Sequence, residues 1–193
     1  MKIKIFLFLI LLITSKFAIS QLSIGISLSG VGFHPIEDKY SQFYKWKIDK
    51  KGKFVGFSSV SFLFSYKIND YWGIKVMQSL VFYDCAGKFT GISHFGIDLH
   101  DDIIGWKNPK DQFSLSFGPF WYYRRNWTKE PNYTNDPNFI TLSQNGKWEK
   151  KFIWHGGQIE YVHTFNKNDN LSINFLPGYP YLYTLGMGTK LKL

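Results

Sequence analysis

After its first twenty residues the chain alternates, apolar then small or polar, with a period of two almost to its last residue. Side chains of an extended strand point to opposite faces in turn, so this pattern calls for strands, each with one apolar and one polar face. The first strand is expected over 22–33, with Ile24, Ile26 and Leu28 facing one way and Ser23, Gly25 and Ser27 the other. A second runs over 53–68, with Val60, Phe62, Phe64 and Tyr66 in its apolar row, up to a tight turn at Asn69-Asp70. Trp72, Ile74, Val76, Leu80 and Phe82 form the third row. A fourth, over 92–104, carries Phe95, Ile97, Leu99 and Ile103. Asn108-Pro109-Lys110 then turns the chain into a fifth row of Phe113, Leu115, Phe117, Trp121 and Tyr123. Segment 148–165 is less regular, and Gly156-Gly157 reads as a bulge within it. Strands over 171–176 and 181–193 complete about eight.

The apolar rows are rich in aromatics, which make up 20% of the chain. A soluble lipocalin-like barrel would put apolar side chains inside and polar ones outside. Aromatic rows on several strands favour the reverse, lipid outside and a polar lumen within. In hydrocarbon an open sheet edge leaves backbone groups unpaired, so such a sheet must close on itself. The expected fold is therefore all-β, a closed antiparallel transmembrane barrel of about eight strands.

Residues 1–20 read as a cleaved signal peptide. Lys2 and Lys4 precede the apolar run Ile5–Ile13, and Ala18-Ile19-Ser20 has the small-x-small form of a cleavage site. The run is too short to span a bilayer as a helix, which needs about 20 residues. Cleavage leaves 21–193 as the barrel domain and lowers the formal charge from +9 to +6. The single cysteine, Cys85, cannot form an internal disulfide and lies far from the cleavage site. In an exported aromatic-rich chain, the basic balance points to anionic lipid headgroups rather than nucleic acid. Short connections at 69–70, 108–110 and 166–169 fall on one rim, and long ones at 34–52 and 126–147 on the other. In outer-membrane barrels short turns face the periplasm and long loops face outside, so a monomer in a bacterial outer membrane with that orientation is expected.

This topology gathers His34, Asp84, Cys85, Arg124 and Arg125 at the long-loop rim. A base, a carboxylate to orient it, a thiol and cations for phosphate are the types acyl transfer uses, although a polar rim holds such residues without any chemistry. On strand four His94, Gly96, Asp98, His100 and Asp102 share the inward face, with Gln158 and Glu160 lining strand six. A hydrogen-bonded plug with Lys190 and Lys192 is the expected role of this row. A metal site is the alternative, disfavoured by the spacing of about 7 Å between i and i+2 on a strand. Three Asn-x-Ser/Thr triplets, at Asn126, Asn132 and Asn170, are read as chance in a bacterial envelope protein.

Four short motifs in order resemble the PagP-type lipid A palmitoyltransferases, a family of small outer-membrane barrels. His34 follows the first strand, and Phe82-Tyr83-Asp84-Cys85 resembles a Phe-x-Asp-Ser motif. Arg124-Arg125-Asn126-Trp127 resembles Arg-x-Asn-Trp, and Leu176-Pro177-Gly178 an aliphatic-Pro-Gly strand ending. Two departures stand out: Cys85 replaces the serine, and the strand begins where the family has an amphipathic helix. The resemblance implies acyl transfer from a phospholipid to lipid A without metal or soluble cofactor. It implies His34 as base, Asp84 as its partner, Cys85 as nucleophile or hydrogen-bonding group, and Arg124 and Arg125 as phosphate contacts. His94 would form the floor of the acyl pocket. A non-enzymatic barrel (adhesin, ligand-binding or structural) is the alternative. A lipid A deacylase would share the architecture, but no His-x-Ser pair lies on a strand.

Overall fold

A computed structural model of the chain describes residues 22–36, 41–83, 87–101, 108–125, 140–141, 148–166, 169–177 and 182–193. The proposed signal peptide lies outside these, as do Asp84, Cys85 and Asp102. Nine strands occur among the described residues: β1 (Leu22–Phe33), β2 (Phe54–Lys67), β3 (Trp72–Tyr83), β4 (Thr90–His100), β5 (Asp111–Arg125), β6 (Ile140–Thr141), β7 (Trp148–Thr164), β8 (Asn170–Pro177) and β9 (Tyr183–Lys192). All pairings are antiparallel, in the order β5-β4-β3-β2-β1-β9-β8-β7-β6, and β5 also pairs with β7. That last ladder closes an eight-stranded barrel, with the two-residue β6 attached to β7.

The strand limits depart from the alternation in one place that matters. Strand four was expected to reach residue 104, but β4 stops at His100, so ten residues, not three, connect it to β5. Its neighbour β3 begins at Trp72, opposite Leu99, and the β4–β5 ladder ends one residue later at His100 and Ser114.

The wall has the two faces the sequence called for. Ile26, Leu28, Phe64, Val76, Phe95, Ile97, Phe117 and Met187 are exposed, while Ser27, Ser61, Ser65, Lys75, His94 and Asp98 are buried. A water-soluble domain has the opposite arrangement, so this barrel is built to stand in a bilayer. The lumen is not uniformly small and polar, however. Leu63, Met77, Ile92, Phe120, Tyr122 and Leu176 pack together inside it, with Ile153 against them. Eight strands leave an interior just wide enough for side chains to fill, so apolar groups can meet across it.

Two bulges change which face a residue takes. In β1 the register shifts between Ser29 and Val31, so inward positions switch from odd to even numbers: Ser23, Gly25 and Ser27 before it, Gly32 after. In β7 the register against β5 shifts where Gly118 and Phe120 oppose Gly156 and Ile153, beside the glycine pair that the sequence marked. Glu149 is inward before this point, and Gln158 and Glu160 after it.

Candidate functional site

The long-loop rim is where the expected site residues lie. The β1 bulge turns His34 inward, and the side chain is 1% exposed. Its ring stacks on Tyr44 at 5.6 Å between centroids, with Nε2 3.4 Å from the Tyr44 hydroxyl, and its backbone N–H donates to the Lys53 carbonyl. The connection that supplies Tyr44 then runs back along β2. Lys47 bridges Val55, Gly56 donates its N–H to the Trp46 carbonyl, and Ile48 donates to that of Phe54. Asp49 accepts N–H bonds from Phe54 at 2.7 Å and Lys51 at 3.2 Å, which closes the turn, and Gly52 takes φ +69° there. The Phe54 bond holds the exposed Asp49 carboxyl below the usual carboxylate range.

The two arginines separate. Arg124 is buried and its Nε donates to Glu149 at 2.9 Å, across the β5–β7 ladder where the two are directly paired. Arg125 faces out of the barrel, its guanidinium 6.0 Å from the centre of the Trp148 ring. His34 and Arg124 thus share the inward side of one rim. Asp84 and Cys85 lie outside the described residues.

His94 sits deeper, at mid-lumen. It stacks on Phe120 at 4.1 Å, its Nδ1 lies 3.1 Å from the Pro119 carbonyl and its Nε2 2.8 Å from the Ser116 hydroxyl. A carbonyl only accepts, so Nδ1 carries a proton, and when the ring is neutral the Ser116 hydroxyl donates to Nε2. On its long-loop side a small cleft, with room for about one water molecule, is lined by Ser27, Ser61 and Ser79 together with Leu63, Met77 and Ile92.

Toward the short-turn end the lumen is charged. Lys75, fully buried, lies 3.0 Å from Asp98 and 2.8 Å from Glu160, and donates to the Ser114 hydroxyl at 2.9 Å. Glu160 also takes Lys190 at 3.0 Å and the Ser172 hydroxyl at 3.1 Å. Two ammonium groups and two carboxylates therefore balance, tying together β3, β4, β5, β7, β8 and β9. Lys190 joins this plug as expected, whereas Lys192 is exposed at the strand end. Sequence reasoning missed Lys75, Tyr44 and Glu149. Lys75 was legible, since alternation puts it on the inner row of β3 with Met77. Glu149 was hidden by the β7 bulge, and nothing in the sequence marked Tyr44. Among the described residues no group of three or more His, Cys, Asp or Glu converges as a metal site requires.

No protein-family model matches the chain, and no curated protein sequence matches it. Among solved structures, it is similar to Neisserial surface protein A (TM-score 0.45, 9% identity, covering 90% of this chain and 97% of that one). It is also similar to Ail, the attachment invasion locus protein of Yersinia pestis, alone (0.41, 14%) and in complex with the heparin analogue sucrose octasulfate (0.41, 12%). Each of the latter two covers 88% of this chain and 96% of its own.

Proposed function

We propose that the protein is a small non-enzymatic barrel of the bacterial outer membrane, which holds its long connections at the outer face. The observation that carries this is the buried, charge-neutral network of Lys75, Asp98, Glu160 and Lys190 across the lumen. A polar layer in which both ammonium groups are paired with carboxylates fills the short-turn end, which argues against a pore and leaves the rims and outer wall as working surfaces. Arg124, one of the groups acyl transfer would use, is engaged with Glu149. Mass spectrometry of lipid A from cells with and without the protein should give the same profile. The gain of one acyl chain would refute this reading, and the loss of one would point to deacylation.

A lipid A acyltransferase of the PagP kind is the second reading. It is favoured by a buried His34 at the same rim as Arg124, above a lumen that is partly apolar. It takes phospholipid as donor and lipid A as acceptor, and relies on Asp84 and Cys85. If lipid A does gain a chain, His34→Ala should abolish the gain. His94→Gly should lengthen the chain transferred, and an unchanged length removes His94 from the pocket floor.

A further inference from the structure

On the membrane-facing side of β5 and β7, the long-loop end carries two cations on one surface. Arg125 and Lys150 both face outward, next to the buried Arg124 and Glu149 that face in. Arg125 pairs with Trp148 and Lys150 with Tyr123, so the two cations are diagonal neighbours. Such neighbours sit about 7–8 Å apart, within reach of long flexible side chains. The only acid beside them in sequence, Glu149, points into the lumen toward Arg124. Lys150 has no ion-pair or hydrogen-bond partner for its side chain among the described residues.

One step toward the bilayer centre, the same face is aromatic. Trp121 packs on Phe152 at 4.9 Å, Phe152 on Trp154 at 4.7 Å, and Trp154 is 77% exposed. Tryptophan belts of this kind lie at headgroup level. The surrounding rim is also the basic end of the molecule: among its described residues ten are Lys or Arg, against Asp49 and Glu149.

We infer that Arg125 and Lys150 form a site for the phosphate of an anionic lipid headgroup, with Trp148 and the belt below them bounding it. The guanidinium supplies a planar fork for phosphate oxygens and the ammonium a mobile point charge. A free phosphate in water would meet two exposed, screened cations and bind weakly. A lipid phosphate is delivered to them by the bilayer. This inference rests on the barrel standing in a membrane and is the same for either reading of its function.

The mature chain should be folded into vesicles of equal phosphatidylcholine and phosphatidylglycerol, extracted gently, and weighed intact by native mass spectrometry. At about five-fold per surface cation, it should retain phosphatidylglycerol over phosphatidylcholine by about ten-fold or more. Arg125→Gln with Lys150→Gln should bring the preference to within about two-fold, while Lys45→Gln with Lys47→Gln should leave it in place. Equal retention of both lipids by the wild type overturns the site, and so does a preference that survives in the Arg125/Lys150 variant. Displacement of the lipid by millimolar inorganic phosphate would show a soluble-anion site and overturns the lipid assignment. A chain that does not enter vesicles at all refutes the membrane reading beneath it.

Discussion

At its short-turn end the lumen is filled by charge, and from its middle toward the long-loop end mostly by rings, aliphatic groups and hydroxyls, with one buried ion pair, Arg124–Glu149, at the rim. Lys75, Asp98, Glu160 and Lys190 form the first layer, and Leu63, Met77, Ile92, Phe120 and Leu176 the second, with the serine-lined cleft beside it. Both layers are buried in the same barrel, yet they hold it by different means. The charged layer is strong only while every member has its partner, because an ion left alone away from water is costly. The apolar layer loses stability in proportion to what is removed. The charged end is thus a fixed plug, and the softer end adjoins the connections that carry His34 and Tyr44.

The largest effect should come from breaking the charged layer. Lys75→Met leaves Asp98 without its cation and Glu160 with Lys190 alone, and should cost about 3–5 kcal/mol in denaturant unfolding of the detergent-solubilised barrel. Lys75→Met combined with Asp98→Asn removes one charge of each sign and should recover most of that. If the double variant is no more stable than the single one, the layer is held by packing and the contrast between the two ends is lost. Next, Leu63→Ala in the apolar layer should cost about 3 kcal/mol, with no companion change that restores it short of refilling the space. Arg124→Gln, which strands the buried Glu149, should cost about 1–3 kcal/mol, and Glu149→Gln added to it should return part of the loss.

The smallest effect concerns the exposed turn before β2. Asp49 has its carboxyl held below the ordinary value by the Phe54 N–H. A carboxyl depressed on folding stabilises the turn above its unfolded pKa, and that contribution is lost as the pH falls through the folded pKa. The amide signals of Lys51 and Phe54 should therefore shift at a pH below the usual aspartate range. A midpoint at or above that range would remove the capping role, and Asp49→Asn should abolish the titration.

Much of the barrel was legible in the residues because a strand's faces are set locally. Val76, Phe95, Ile97, Phe117 and Met187 face outward, as alternation places them, and the short turns at Asn69 and Asn166 occur where the chain carries turn residues. The candidate site was less legible. His94 and Asp98 were placed inward correctly, but their partners lie on other strands, and no local pattern names them. The Lys75–Glu160 pair joins residues 85 positions apart.

The sequence by itself determined that the chain forms strands with one greasy and one polar face, and that such strands must close. These are properties of alternation and of unpaired backbone groups in lipid. Only the tertiary structure decided which way His34 points. By strict alternation it shares the face of Ile24, Ile26 and Leu28, the lipid side, and the bulge between Ser29 and Val31 turns it into the barrel beside Tyr44. A single inserted residue reverses every face beyond it, and whether a strand takes one depends on how it pairs with its neighbours. The β7 bulge did the same for Glu149, and so gave Arg124, which alternation along β5 already turns inward, its buried partner.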